Sequence, residues 1–456
     1  MQRIFFIVFL CVSLMACRKF IEPGEPNNQL TSGSVFSSDA TATSAMLGIY
    51  AEMEQLGFWY NLSVLTGLSA DEMINYNPST DRIDVFTNNL SPENEIITAL
   101  WNDLYTTIYR CNSVLKGLEN SQSITRAVND QLQGEALFLR AYCHFYLVQL
   151  YGEIPLILTT DYQANAGALR ESVPGIYKQL EKDLQEAIQL LSPVYIGPSN
   201  QPTEERTRPN QFAALALLSR IYLFEGKWSM AESAATLVID ETSQYGLVSD
   251  LSGVFLQNSR EALWQLEPKF EGANTYAGAM FPFTELPANI SIDPEIIDSF
   301  AAGDQRSDEW FRRVNIGGVD YYYAFKYRVG QNVSGLTEYT MALRLAEVYL
   351  IRAESRAMQS NPDGASADIN LIRERAGLSA VSIGNTAGLL NEIGHQRRFE
   401  LFAESGDRWI DLRRTKSVDN VMSVAKGSDW TLNDQLYPIP QNDRNRNPLL
   451  SQNPGY

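Results

Sequence analysis

Apolar residues recur at spacings of three and four along most of this chain, a period that one face of an α-helix satisfies and a strand does not. Leu132, Ala136, Leu139, Cys143, Tyr146 and Leu150 form one such stripe. Phe212, Leu215, Leu218 and Tyr222 form a second, and Leu343, Ala346, Leu350, Ala353 and Ala357 a third. Leu180, Leu184, Ala187 and Leu191 predict a further helix from about Tyr177 to Leu191. No comparable run of alternating residues points to long strands. The expected fold class is therefore mainly α.

Spacing within the helices narrows this further. Between Ala214 and Ile239 the order is Leu218, Ser219, Tyr222, Gly226, Trp228, Ala231 and Val238. A tetratricopeptide helix pair places its large apolar, small, aromatic, turn-glycine and second small residues in that order. Leu345 to Leu378 predicts a second pair, with Ala353 at the crossing, Asn361-Pro362-Asp363-Gly364 as the turn and Ala365 to Arg375 as the return helix. Trp101 to Gly117 with Gln131 to Tyr151 gives a weaker third. Such pairs stack into a scaffold. The insertions between them, at about 75–92, 193–209 and 245–337, are rich in Gly, Pro, Asn, Ser and aromatic residues. Long insertions of this kind usually carry function. Tyr321-Tyr322-Tyr323 suggests one of a few short strands, near Ala324 to Tyr327.

Charge removes several function classes. The 36 basic and 54 acidic residues give a net charge of −18, so a general phosphate-neutralising surface, and with it nucleic acid as the main partner, is not expected. His144 and His395 are the only histidines, too few for most histidine-based metal or acid/base sites. Asp71 and Glu72 after Ser69 offer adjacent carboxylates for a structural calcium, but no spaced oxygen-ligand loop follows and a hydrogen-bonding role is the expectation. No cofactor is expected. Asp293, Glu295 and Asp298 are the nearest approach to a glycosidase carboxylate set, and a chain this acidic offers such groupings freely.

The N-terminus has one basic residue, Arg3, before an apolar run from Ile4 to Val12, too short to span a bilayer permanently and suited to a cleaved leader over residues 1–16. Leu14 three residues before Cys17 has lipobox spacing, which makes Cys17 the expected lipidation site. Arg18 to Thr31, with Pro23, Gly24 and Pro26, completes an expected flexible tether over 17–31, leaving 32–456 as a single domain. Cys111 and Cys143 lie on neighbouring predicted helices, where plain buried thiols are expected over a disulfide.

The C-terminal quarter carries a family resemblance. Gln396-Arg397-Arg398-Phe399-Glu400-Leu401 precedes Gly406-Asp407-Arg408-Trp409-Ile410-Asp411-Leu412-Arg413-Arg414, and the chain closes with Pro438-Ile439-Pro440 and then Asn447-Pro448 to Gln452-Asn453-Pro454-Gly455-Tyr456. Arg344 to Glu354, Asn370 to Leu378, the Trp101, Tyr105, Ile108, Asn112 and Leu115 helix, and Gly134 to Tyr142 add further motifs in order. Together these resemble the SusD/RagB family of Bacteroidetes outer-membrane lipoproteins. Ser405 between Glu404 and Gly406 is a small local departure. The resemblance implies a non-catalytic, surface-exposed outer-membrane lipoprotein that binds oligo- or polysaccharides. It also implies delivery to a SusC-like TonB-dependent transporter as partner. A peptide-binding homologue or a helical-repeat scaffold lipoprotein is the alternative.

Sugar rings have apolar faces and polar rims, so exposed aromatics beside amides or guanidiniums are the chemistry sought. Tyr76, Trp310 and Tyr322 lead the candidates, because they lie in insertions among polar neighbours; Trp59, Tyr60, Phe283, Asn75 and Asn77 join them, with Phe281 beside Phe283. Trp101, Trp228, Trp264 and Trp409 fall in scaffold patterns and are expected to be structural.

Overall fold

A computed structural model describes residues 32–268, 274–330, 333 and 335–456. The expected leader, the lipidation site Cys17 and the tether lie outside the described residues. The chain is mainly helical. Its long helices are α1 (Asp39–Gln55), α2 (Phe58–Ser69), α3 (Glu95–Glu119), α4 (Arg126–Tyr151), α5 (Val173–Leu190), α6 (Gln211–Phe224), α7 (Trp228–Ile239), α8 (Leu345–Met358), α9 (Pro362–Arg375), α10 (Thr386–Glu400) and α11 (Asp407–Arg414). Helices α3 to α9 stack one on the next, α10 closing against α8 and α9.

The three expected helix pairs are present as α3/α4, α6/α7 and α8/α9. Small residues permit their close crossings: Ser219, Ala231 and Ala353 are each fully buried. Gly226 turns α6 into α7 at φ +72°, a conformation a side chain would strain. Helix α4 is buried on every side from Gly134 to Tyr151 and forms the centre of the stack. Cys111 and Cys143 are free, buried thiols.

The insertions hold more structure than their composition suggests. Residues 75–92 include a helix, Thr80–Thr87, capped by Ser79. Residues 73–75 and 290–324 build an antiparallel sheet, β1 (Met73–Asn75), β5 (Ile290–Ile292), β7 (Val319–Ala324) and β6 (Phe311–Ile316), in the order β1-β5-β7-β6. Two short ribbons, β2 (Ile154–Pro155) with β3 (Arg170–Glu171) and β4 (Ala262–Leu266) with β8 (Thr340–Arg344), complete the strands among the described residues. The strand around the tyrosine run spans 319–324 and ends where the sequence had suggested it begin.

A buried ionic cluster fixes this sheet to the helices. Glu400 of α10 receives Arg306, Arg344 and Arg375, all essentially inaccessible. Lys326, two residues beyond β7, donates to the carbonyls of Glu400 and Phe402 at 2.8 Å each and pairs with Glu404. Paired in this way, buried charges are retained where isolated ones would not be. The three guanidiniums hold Glu400 well below the usual carboxylate range, against a burial penalty that acts the other way. Phe311 of β6 stacks on Phe402 at 4.0 Å, so both strands of the hairpin are anchored at its open end.

Candidate functional site

The β6/β7 hairpin turns through Gly317 and Gly318, both at positive φ, which is the two-residue turn that the right-handed twist of paired strands favours. Its register then decides which tyrosines face outward, because residues paired across an antiparallel ladder share a face. Phe311 pairs with Ala324, Arg313 with Tyr322, and Tyr322 with Ile292 of β5, which in turn pairs with Met73 of β1. Phe311, Ile292 and Met73 are core residues, and Tyr322 packs against that core. The opposite face carries Arg312 beside Tyr323, Val314 beside Tyr321, then Ser291 and Ile74.

That second face is an aromatic strip. Tyr76, exposed one residue past β1, meets Tyr321 edge-on at 6.0 Å, and its hydroxyl lies 3.4 Å from Ser291 Oγ. Two residues along β7, Tyr323 contacts Phe283 at 5.2 Å and Phe325 at 6.1 Å. The Arg312 guanidinium caps the strip 4.0 Å above the Phe325 ring. Tyr321, Tyr323, Phe283, Phe325 and Arg312 are all partly exposed. Partial burial raises the Tyr323 phenol, opposed by Arg312, so it remains a neutral donor at physiological pH. From Tyr76 to Phe325 the strip runs roughly 20 Å, judged from strand rise and ring size.

The amides flank the strip. Asn75 Nδ2 donates to the Asn77 carbonyl at 2.9 Å, and Asn77 Nδ2 donates to Asn289 Oδ1 at 2.9 Å, which locks the loop that presents Tyr76. On the far side of Asn77 a groove of about 480 Å³ has Leu65, Ile96 and Leu100 as floor and Asn61, Asp81 and Arg82 on its rim. Rigid rings with guanidinium and amide donors at their edges suit a partner that is flat, apolar on its faces and hydroxylated around its rim.

The structure corrects several sequence candidates. Trp310 is fully buried: its Nε1 donates to the Leu251 carbonyl at 3.0 Å, and its ring receives Lys326 at 4.9 Å and Arg344 and Arg375 at 5.9 Å. It is the aromatic cover of the ionic cluster. Trp59 is buried and donates to Tyr142 Oη at 2.8 Å; Tyr60 and Phe281 bury one another at 5.3 Å. Tyr322 is partly buried against the core, since strand alternation turns it to the face opposite Tyr321 and Tyr323. Phe325 and Arg312 join the strip without standing among the sequence candidates, although Gly317-Gly318 between alternating residues is a legible hairpin signal.

Other groups have structural work. Asp71 is clasped by Arg408, through two bonds of 2.7 Å, and by Arg398 at 3.0 Å. Burial pushes the neighbouring Glu72 carboxyl up to about 7. Asp293 caps a five-residue helix by accepting from Glu295 N at 2.9 Å. His144 is buried in α4 with Nδ1 3.0 Å from the Arg140 carbonyl, and burial pulls it down to about 3. Among the described residues no group of three or more His, Cys, Asp or Glu could hold a metal ion.

Two family descriptions match the chain: "Starch-binding associating with outer membrane" over residues 19–223, and "SusD family" over 312–456. SusD-like protein P25 of Formosa agariphila is 23% identical, covering 98% of this chain and 97% of its own. A SusD superfamily protein from Bacteroides vulgatus has the same fold, with a TM-score of 0.82 at 22% identity over 92% of this chain and 100% of its own. A structure described as a laminarin binding SusD-like protein gives a TM-score of 0.76 at 21% identity, covering 92% of this chain and 100% of its own.

Proposed function

This chain belongs to the SusD/RagB family, and on that premise we propose that it is a non-catalytic glycan-binding protein whose ligand lies along the strip from Tyr76 through Tyr321 and Tyr323 to Phe325 and Arg312. The observation that carries this reading is the register of β6 and β7, which turns alternate tyrosines onto one partly exposed face in line with Tyr76. A strip of this length offers stacking to several consecutive sugar rings, with Arg312 and the tyrosine hydroxyls for their polar rims. Phe283 belongs to the site through Tyr323; Asn75 and Asn77 act by holding the loop. Tyr322 supports the strip from behind. The starch-binding family description and the laminarin-binding relative favour a glucan among glycans.

In the same proposal Cys17 carries the lipid that holds the protein at the outer membrane, exposed to the outside. The glycan then passes to a SusC-like TonB-dependent transporter. A scaffold without a ligand, or a peptide binder, differs from this in what the strip retains. Native affinity electrophoresis through gels holding laminarin, starch and other polysaccharides tests it, with reducing ends counted in the same mixtures. Retardation by a polysaccharide without new reducing ends supports the proposal. No retardation by any of them, or reducing ends that accumulate, overturns it.

A further inference from the structure

Arg413 is the last but one residue of α11 and lines an open cavity of about 470 Å³ walled in part by the C-terminal tail at Ser451 to Pro454. It is mostly buried, and no described residue hydrogen-bonds or ion-pairs with its guanidinium, whose Nε and Nη1 are inaccessible and unmet. Other buried guanidiniums among the described residues have a partner, even where a single nitrogen such as Arg375 Nε or Arg397 Nη1 goes unmet. Arg140 is met by Asp183, Arg208 by Glu135 and Arg344 by Glu400. An unpartnered buried guanidinium carries a desolvation cost that a partner removes.

Arg170, the second cation, spends its donors on neutral oxygens: the carbonyls of Glu153 and Ser451 and Asn453 Oδ1. The one carboxylate on the cavity wall, Glu153, is exposed and meets Arg170 through its backbone oxygen. Neutral groups complete the wall, apolar ones such as Val173 and Leu436 beside polar ones such as Gln149, whose Nε2 donates to Tyr177 Oη at 2.6 Å. Burial pulls Arg413 down to about 10, so it stays cationic at neutral pH. The cavity thus presents two guanidiniums and no buried anion, in a volume typical of small-molecule sites.

We propose that this cavity is an anion site in which Arg413 holds the oxyanion group of a small molecule, a carboxylate or sulfate, with Arg170 and the tail amides around it. Charge-assisted bonding to the free guanidinium supplies the affinity. The site shares no residue with the aromatic strip and does not depend on it.

The test uses the purified protein at constant ionic strength, titrated calorimetrically and by thermal shift with sodium glucuronate, sulfate, acetate and, as neutral control, glucose. The expected result is saturable binding and stabilisation by at least one of the three anions and none by glucose. Arg413→Gln should weaken binding by about tenfold or more, in line with loss of a charged hydrogen-bond donor, while Arg413→Lys retains part of it. Without anion, Arg413→Gln should melt no lower than the parent, which shows that the variant folds. Glucuronate alone binding identifies an acidic sugar as the ligand; response to sulfate or acetate as well identifies the free oxyanion. The variant with Tyr76, Tyr321 and Tyr323 replaced by alanine should respond as the parent does. Absence of binding by all three anions, or equal binding by Arg413→Gln, overturns the proposal.

Discussion

Glu54 of α1 gives a prediction whose size follows from its surroundings. It is 4% exposed, accepts one hydrogen bond, from Thr340 Oγ1 at 2.9 Å, and borders a water-sized cavity of about 30 Å³ shared with Ser63 and Tyr60. With no cation beside it among the described residues, burial pushes its carboxyl from an ordinary 4.5 up to about 7. Below about pH 4.5 the group is protonated in both folded and unfolded chains and favours neither by its charge. As pH rises, the unfolded chain ionises first, so stability falls through this window and the loss is complete once the folded carboxyl has also ionised, just above pH 7. The gap corresponds to roughly 3 kcal/mol. Glu54→Gln keeps an acceptor for Thr340 and abolishes the ionisation. Denaturant unfolding should therefore find the variant within about 1 kcal/mol of the parent near pH 5 and about 2–3 kcal/mol more stable near pH 8. A stability difference that does not change with pH, or a variant less stable near pH 8, would refute the reasoning.

Other substitutions separate core from surface. Trp310→Ala should cost about 3–5 kcal/mol, because it empties the cover of the ionic cluster, whereas Tyr323→Ala on the partly exposed face should cost about 1 kcal/mol; denaturation midpoints of the two variants decide this. Cys111 and Cys143 are fully buried, and burial pushes Cys111 up to about 12, so an aromatic disulfide reagent should label neither until the protein is unfolded, with or without prior reduction. A Cβ at Gly117 would lie 2.1 Å from Phe36 Cε2, where the ring rests on the backbone of α3. Gly117→Ala should lower stability by about 1–3 kcal/mol in thermal or denaturant melts, despite the higher helix propensity of alanine.

The helical stack was legible in the sequence because its signals are local and repeated. Ser219, Gly226 and Ala231 sit where two helices must cross, and the spacing of three and four reports the buried stripe directly. The site was legible only in part. Polar neighbours mark Tyr76 and the tyrosine run, but which tyrosine of the run faces the core depends on strand alternation and on pairing with Ile292, thirty residues earlier. Trp310 shows the opposite failure. Its neighbours Asp308, Glu309, Arg312 and Arg313 look like solvent-exposed sequence, while its indole lies under cations contributed by positions 326, 344 and 375. Such long-range charge pairing leaves no local period to read. Helix Thr80–Thr87 has no apolar stripe to read, because it buries only Val85.

The most direct test of the account is isothermal titration of the retained polysaccharide, or of its oligosaccharides, into the parent and into two variants. One replaces Tyr76, Tyr321 and Tyr323 with alanine; the other is Tyr322→Phe, which keeps the inward ring and its packing. The account predicts that binding is lost or reduced by at least about a hundredfold in the first variant, since each stacked ring contributes on the order of 1 kcal/mol or more, and that it is unchanged within about twofold in the second. Parent-like affinity in the triple variant, with its fold intact by circular dichroism, would contradict the account and move the ligand off this sheet.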